Sequence, residues 1–268
     1  MITFVPVGGL ANRIRSIQSA ISLSGDDELR IYWFKDQGLN CNFYQLFEPI
    51  PLQNVTLKET NLWDKLCFDR PRKKNLYVPL LFQKLHFDAC LYENQTKVGY
   101  INYKHWKDMH TSVYLASYNQ FYTVTTDLNR LFIPIPHIQK KIDDACSSHS
   151  AYTIGIHIRR GDHNIAIQKS PINLFITAME NAIDQNPQTN FYLATDSESD
   201  KQLLKNKFGN RIITSQQAAE RNTTSGIQNA VVDLYALSKT HTIFGSYYSS
   251  FSEIAAQLGN NKLHILTI

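Results

Sequence analysis

Short apolar segments alternate with amphipathic segments through the second half of the chain, and this alternation restricts the fold more than any other feature. The apolar stripe from Ile172 to Ile183, for example, has the spacing of one helix face between two strand-like runs. Such an alternation predicts a parallel sheet with helices on both faces. The predicted strands cover residues 152–158, 190–195, 211–214, 242–245 and 262–268. Four helices are predicted between them: one that begins at Pro171 after a Ser170 cap, one at about 198–208, one at 227–237, and one that begins at Ser249 or Ser250.

The first half of the chain opens in the same way. A strand at 2–7 is followed by the turn Gly8-Gly9, by a helix with an apolar face, and by a strand at 29–34. This order predicts a Rossmann-like unit, and residues 113–118 are predicted to add a further strand. Residues 36–110 are rich in aromatic, proline and basic residues, including the run Arg70–Lys74, and predict solvated loops with short helices. The alternative for this region is a surface that faces an acceptor.

Prolines separate the two halves. The segment from Leu131 to Pro136 alternates proline with apolar residues, a pattern that breaks regular structure and stiffens a linker. We therefore expect two domains, residues 1–135 and residues 136–268. A helix is predicted at about 137–148, close to this junction.

The overall composition limits the classes of function. Hydrophobic residues make up 43% of the 268-residue chain and charged residues 19%, which is typical of a globular protein with a large core. A net charge of +4 is too small to indicate nucleic-acid binding but suits an anionic small molecule. The four cysteines lack metal-ligand spacing, so neither zinc nor a disulfide framework is expected. No signal peptide or long apolar run is evident, which predicts a cytoplasmic protein without an integral membrane segment.

The loop from His157 to Asp162 carries the strongest indication of chemistry. It follows a predicted buried strand, and its Arg159 and Arg160 have guanidinium groups that match phosphate oxygens in a bidentate fork. Strand alternation points His157 and Arg159 the same way, so Arg159 is the preferred phosphate ligand. Arg160 is a further candidate to bind the same ligand, and its alternative role is to anchor the loop. Asp162 is a candidate to orient an arginine or accept a proton, and His163 is a second candidate base. The alternative is an ordinary surface turn.

Two further loops are expected beside this one, because the carboxyl ends of parallel strands lie at one edge of a sheet. Asp196 ends a predicted strand, where its carboxylate is a candidate to bind a base such as guanine or to cap the next helix. Ser249, Ser250 and Phe251 begin a helix, whose free N–H groups and dipole favour an anion. Simple helix capping by a serine is the alternative, and the two roles are compatible in adjacent serines.

The loop at residues 8–13 is the counterpart in the first half. It lacks both the G-x-G-x-x-G spacing of a dinucleotide fold and the Walker pattern, so NAD or FAD binding is not indicated. Asn12 and Arg13 are candidates to project into a cleft between the two units; the alternative roles are a helix cap and a solvated charge. Asp233, on a largely apolar helix, requires a partner, and an arginine of the 157–162 loop is one candidate.

Several of these segments, taken in order, resemble the fucosyltransferase superfamily that includes bacterial α-1,2-, α-1,6- and protein O-fucosyltransferases. Residues 8–13 (GGLANR) resemble its opening G-G-L-G-N-R/Q loop, and residues 157–162 (HIRRGD) resemble its H-x-R-R-x-D motif. Residues 194–196 (ATD) and 245–252 (GSYYSSFS) resemble its late T-D and S-S-F-S segments, and 232–238 (VDLYALS) the helix before the last motif. Residues 36–110 show little similarity, and Ala11 replaces the usual glycine.

The resemblance implies an α/β fold of the GT-B type, in which two Rossmann-like domains face each other across a cleft. It implies inverting transfer of fucose from GDP-fucose to a glycan acceptor, with no metal or other cofactor. Arg159 would contact the β-phosphate, and His157 and Asp196 the guanosine. Ser249, Ser250 and Phe251 would complete the pocket. The second domain would hold this nucleotide sugar, and the first would hold the acceptor.

Two other functions remain open at this point. The short first domain also suits a nucleotide-sugar or glycan-binding module that has lost catalysis. The basic run Arg70–Lys74 suits a nucleic-acid-binding protein, although the small net charge argues against that partner. The acceptor, the linkage, the general base and the oligomeric state are not determined by the sequence.

Overall fold

A computed structural model describes residues 1–96, 101–161, 164–215 and 222–268. The chain divides into two compact units, Met1–Ile133 and Pro134–Ile268. The division falls inside the proline-containing segment 131–136, and each unit is described by itself.

The first unit is built on a five-stranded sheet in which all neighbouring strands are parallel. The strand order is β3-β2-β1-β5-β4, so the first strand of the chain lies at the centre. β1 is buried along its whole length, as expected for a central strand with helices on both faces. The strands are β1 (Ile2–Pro6), β2 (Leu29–Trp33), β3 (Val55–Glu59), β4 (Ala89–Leu91) and β5 (Val113–Ser117).

Five α-helices accompany this sheet in the described part of the first unit. The first connects β1 to β2 and begins directly after the Gly8-Gly9 turn, so its amino end lies at the carboxyl edge of β1. One part of the core packs Val5 and Val7 against Tyr32, Phe34 and Tyr114. The helices are α1 (Leu10–Ser24), α2 (Leu62–Phe68), α3 (Val78–His86), α4 (Tyr103–Asp108) and α5 (Leu128–Leu131).

The second unit repeats this architecture. Its five strands are also parallel, in the order β10-β9-β6-β7-β8, and β6 lies between β9 and β7. Ile154, Ile156 and Ile158 of β6 pack against Phe175 and Met179 of a covering helix. The strands are β6 (Thr153–Ile158), β7 (Asn190–Thr195), β8 (Ile212–Ile213), β9 (Thr242–Ser246) and β10 (Lys262–Leu266); the helices are α6 (Pro136–Cys146), α7 (Asn164–Lys169), α8 (Ile172–Gln185), α9 (Glu198–Phe208), α10 (Thr224–Ser238) and α11 (Ser250–Gly259).

The predicted α/β fold with two Rossmann-like parallel sheets is confirmed, with two local corrections. The region predicted as loops and short helices contains two strands, β3 and β4, which extend the first sheet on both sides. Ser170 does not cap α8, because Pro171 occupies the N-cap position. The Ser170 hydroxyl instead donates to the carbonyl of Leu266 and accepts the N–H of Tyr247, which ties three segments together. In the part of the chain that is described, no helix is long and apolar enough to cross a membrane.

The carboxyl end of β9 packs very closely against α11. A methyl group added at Gly245 would lie 2.7 Å from Ser252 Oγ and 2.8 Å from Ser252 Cβ. Real side chains do not approach that closely, so only glycine allows the helix to lie this near the strand. This close contact fixes the start of α11 beside the end of β6.

We therefore expect Gly245→Ala to destabilise the protein by about 2 kcal/mol, because overpacking forces the strand and the helix apart. Adding Ser252→Gly to this variant removes both clashing atoms and should recover part of the loss. Urea unfolding of the two single variants and the double variant measures this coupling. Additive effects of the two substitutions would contradict the packing assignment.

Candidate functional site

Three loops of the second unit meet at one edge of its sheet. They follow β6, β7 and β9, which are adjacent strands that run in the same direction, as the sequence predicts. The backbone N–H of Arg159 donates to Ser246 Oγ at 2.9 Å, joining the first loop to the end of β9. The residues predicted at 157–160, 196 and 249–251 are therefore brought together locally.

The Asp196 carboxylate connects the β6 loop to the end of β7. Its Oδ2 accepts a hydrogen bond from Arg159 Nη1 in a close ion pair, and its Oδ1 accepts the Arg160 backbone N–H at 2.7 Å. Asp196 does not cap the following helix, because Ser197 occupies that position and accepts the N–H of Asp200. The side chains of Arg159 and Asp196 remain 16% and 19% exposed, so a ligand can reach the pair.

The Arg160 side chain has other partners, which anchor the loop to neighbouring segments. Its Nε donates to Asp200 Oδ2 at 2.7 Å, and its Nη1 donates to the carbonyl of Ser170 at 3.0 Å. The two adjacent arginines therefore have different environments. These hydrogen bonds match the alternative role of Arg160 as an anchor of the loop, and ligand binding by Arg159 or Arg160 stays a prediction.

Gly161 allows the loop to turn tightly around Asp196. Its φ of +36° lies in the left-handed region, and an added methyl group would lie 2.8 Å from Asp196 Oδ2. A residue with a side chain would be strained there and would collide with the carboxylate. The H-x-R-R-x-D-like segment therefore requires glycine at position 161 for a steric reason.

His157 is buried at the base of the site. Its Nδ1 lies 3.3 Å from Ser249 Oγ, and its ring stacks on Phe251 with centroids 4.8 Å apart. Burial is the main cause that lowers the pKa of His157 to about 4; the negative charge of Asp196 opposes this shift, and the positive charge of Arg159 adds to it. The imidazole is therefore neutral at physiological pH and serves as a flat, uncharged wall.

The amino end of α11 completes the described site. Ser249 occupies the N-cap position, but its side chain is directed to His157 and does not cap the helix. The N–H groups of a first helical turn have no partner within the helix, so the start of a helix favours a bound anion. Ser250 and Phe251, both half-buried, follow directly. The Ser249 side chain therefore does not cap α11, and anion binding at this helix start stays a prediction.

In the first unit, Arg13 is a buried structural residue. Its guanidinium donates to the carbonyls of Gly8 and Phe34 and to Asp36 Oδ1, and it lies 4.7 Å from the centre of the Trp33 ring. Burial lowers the pKa of Arg13 to about 10, while Asp36 opposes this shift. These contacts stabilise the turn at Gly8, and the charge of Arg13 is buried rather than solvated. Direct ligand binding by Arg13 stays a prediction.

Asn12 is less buried than Arg13, and its ligand binding stays a prediction. It is half-buried in the first turn of α1, and its amide lies against Gly8. The predicted candidates Asp162 and His163 lie outside the described residues, and their roles also stay predictions.

The candidate partner of Asp233 is wrong. Asp233 accepts a hydrogen bond from the hydroxyl of Tyr192 at 2.7 Å, rather than from an arginine of the 157–162 loop. Burial raises the pKa of Asp233 to about 6, and the bond from Tyr192 opposes the shift. This pair connects α10 to β7.

Three residues that support the site are not predicted as such from the sequence. Ser246 joins β9 to the β6 loop, Asp200 pairs with Arg160, and the Ser170 carbonyl accepts from Arg160. The position of Ser246 at a strand end is the sequence signal that could have identified it. Asp200 and Ser170 reach the loop only through tertiary contacts, which the sequence does not show. Within the described ranges, no group of three or more His, Cys, Asp or Glu side chains is arranged to hold a metal ion.

The buried neutral state of His157 makes a prediction about pH. In the unfolded chain His157 takes up a proton below its ordinary value of 6.5, but in the folded chain only near 4. Its contribution to the free energy of unfolding should therefore fall as the pH drops from 6.5 to 4, by on the order of 3 kcal/mol. Urea unfolding across this pH range should show that the free energy of unfolding falls less for His157→Gln than for the wild type.

The Asp233→Asn variant provides a control of opposite sign. The folded pKa of Asp233 is raised to about 6, so its contribution is present below the unfolded value and is lost as the pH rises through 6. Removing the Asp233 carboxyl should therefore make the free energy of unfolding fall more steeply as the pH drops. Equal pH slopes for wild type and His157→Gln would contradict the assigned state of His157.

Comparisons with known proteins bear on the fold. No family model matches the sequence, and no curated protein matches it. Among solved structures, NodZ, an α-1,6-fucosyltransferase soaked with GDP-fucose, is 16% identical with a TM-score of 0.65, over 96% of this chain and 92% of that one. NodZ has also been solved as the fucosyltransferase from Bradyrhizobium, with the same identity and TM-score.

Two further structures with bound GDP share the fold. A mutant of Arabidopsis thaliana FUT1 is 15% identical, with a TM-score of 0.60 over 99% of this chain and 69% of that one. POFUT1 is 9% identical, with a TM-score of 0.55 over 100% of this chain and 98% of that one. The predicted resemblance is thus confirmed at the level of structure: the chain has the GT-B-like α/β fold seen in members of the fucosyltransferase superfamily.

Proposed function

We propose that this protein is a fucosyltransferase that transfers fucose from GDP-fucose to a glycan acceptor, with inversion at the sugar and without a metal ion. The observation that carries the proposal is the Arg159–Asp196 pair, held at the sheet edge beside the start of α11. The structures with this fold include NodZ with GDP-fucose, and FUT1 and POFUT1 with GDP, which supports the same donor here.

In this proposal Arg159 binds the β-phosphate. Its guanidinium is oriented by Asp196, so less side-chain freedom is lost when the ligand arrives. The N–H groups at the start of α11, with Ser249 and Ser250, face the same phosphates. His157 and Phe251 provide a flat stacked surface for the guanosine portion.

The reaction places charge where these groups can stabilise it. The acceptor hydroxyl oxygen forms a bond to C1 of fucose, and the bond from C1 to the β-phosphate oxygen breaks, with its electron pair leaving on GDP. Negative charge grows on that phosphate while the sugar becomes positive. Arg159 and the α11 amides would stabilise the departing phosphate as preorganised donors, the task that a cation performs in metal-dependent transferases.

The acceptor proton must pass to a general base. Asp162 and His163 follow the arginine loop in sequence and are the candidates for that role, with neither preferred. We assign the acceptor to the first unit, with Asn12 as its candidate contact. Arg13 would then act indirectly, because it holds the turn that carries Gly8. The cytoplasm remains the proposed compartment.

Replacing Arg159 should remove most of the activity. Without its charge on the departing phosphate, Arg159→Ala should lower the rate of donor-dependent transfer about 100-fold or more. Arg159→Lys keeps the charge but not the planar fork, so its transfer rate should lie between those of the wild type and Arg159→Ala. Fucose transfer from labelled GDP-fucose to a panel of glycans measures both variants.

Arg30→Ala is the matched control, since Arg30 is a half-exposed arginine paired with Glu28 on the first sheet. It should transfer fucose as the wild type does. Transfer by Arg159→Ala near the wild-type rate would contradict the role of Arg159. Binding of GDP-fucose without turnover across the panel would instead identify a binding module that has lost catalysis.

Chelation tests the metal-free chemistry. If Arg159 and the α11 amides neutralise the departing phosphate, transfer should continue in excess EDTA at close to its initial rate. Restoration of a lost rate by added Mg²⁺ or Mn²⁺ would show that a divalent ion performs this task.

A further inference from the structure

Two short helices between β3 and β4 expose many large apolar side chains. Residues 62–86, here called the apolar hairpin, hold eight of the 20 exposed large apolar residues found among the described residues. α2 and α3 pack against each other, with the rings of Phe68 and Phe82 in edge-to-face contact at 5.4 Å. On α2, the exposed residues are Leu62, Trp63 and Leu66, and Trp63 is 76% exposed. Such a concentration of apolar surface marks an interaction site.

The hairpin is folded with its apolar face outward. In α3, Val78, Leu81 and Leu85 have the i, i+3, i+7 spacing of one helix face, and the two leucines are 69% and 73% exposed. The polar residue Gln83 is buried instead. Its Nε2 donates to the carbonyl of Asp69 at 2.9 Å, and its Oε1 accepts the hydroxyl of Tyr92 at 3.1 Å. These hydrogen bonds fix the orientation of α3, so the outward leucines are a feature of the folded unit.

The turn that leads into α3 also presents apolar side chains. Leu76 and Tyr77 have φ values of +50° and +57°, the left-handed region that residues other than glycine seldom adopt. Both side chains are exposed, Leu76 to 82%. Two consecutive strained residues that point apolar groups outward fit a surface with a partner.

Positive charge accompanies this apolar face. The two carboxylates of the hairpin are already occupied, since Asp64 pairs with Lys58 and Asp69 pairs with Arg72. The exposed lysines have no ion-pair partner among the described residues, which leaves their charges available to an anionic surface. These lysines are Lys65, Lys73, Lys74 and Lys84.

We infer that the apolar hairpin docks on the surface of an anionic phospholipid bilayer, independently of the proposed transfer reaction. Apolar side chains would enter the boundary between head groups and acyl chains, and the lysines would meet the lipid phosphates. A nucleic acid offers no apolar layer to receive Leu81 and Leu85. A symmetric pair of copies would bring like-charged lysines face to face, because the same patch meets itself.

The test uses the full chain and vesicle flotation. The protein should float with vesicles of phosphatidylcholine and phosphatidylglycerol in equal parts, and not with vesicles of phosphatidylcholine alone. Added salt should weaken the binding. Trp63 is a built-in probe, and its fluorescence should shift to shorter wavelength on binding, a shift that Trp63→Phe should remove.

Paired variants separate the two components of the surface. Leu81→Glu with Leu85→Glu, and Lys73→Glu with Lys74→Glu, should each weaken vesicle binding about tenfold or more. Lys140→Glu with Lys141→Glu changes the net charge equally at two exposed lysines of α6, and Leu203→Glu changes an exposed leucine of α9. Both controls should bind as the wild type does, and circular dichroism verifies that every variant is folded.

Three results would overturn the inference. Equal flotation with both vesicle types would remove the role of lipid charge. Equal weakening by the α6 lysine control would show that only net charge matters. Absence of flotation, together with a dimer that Leu81→Glu and Leu85→Glu convert to a monomer in light scattering, would assign the surface to a second copy of the chain.

Discussion

One carboxylate, that of Asp196, holds together the loop on which the proposed chemistry depends. One of its oxygens pairs with the Arg159 guanidinium, and the other accepts the backbone N–H of Arg160. The loop is therefore fixed in both its side chain and its backbone by a residue of the neighbouring strand. Gly161 permits this geometry, because any side chain there would meet the carboxylate. An arginine held in this way meets a phosphate with little loss of conformational freedom.

This arrangement follows from the parallel sheet. β6 lies between β7 and β9, so the three loops at their carboxyl ends reach one another over a few ångströms. Close packing at Gly245 then places the start of α11 beside His157. Burial keeps His157 neutral, whereas Arg159 carries a positive charge in the same loop and is paired with Asp196. Charge, helix dipole and a flat aromatic wall are thereby combined without a cluster of metal-ligating side chains in the described part of the chain.

Regular elements could be predicted from the sequence because they depend on local periodicity. β7 and α9 have the predicted limits, and β6 differs by one residue. β3 and β4 could not be predicted, since aromatic and proline residues around them hide the short strand pattern. The contacts of Arg13 with Phe34 and Asp36 and the Tyr192–Asp233 pair could not be predicted either. They join residues more than 20 positions apart, and sequence periodicity holds no information about such contacts.

The central claim is that Asp196 prepares Arg159 to bind the terminal phosphate of a nucleoside diphosphate. Isothermal titration of GDP and GMP, which differ by that phosphate alone, tests it most directly. The wild type should bind GDP at least about tenfold more tightly than GMP, a difference of about 1.4 kcal/mol. Asp196→Asn should lose most of this preference for GDP over GMP. Equal affinities of the wild type for GDP and GMP would contradict the account.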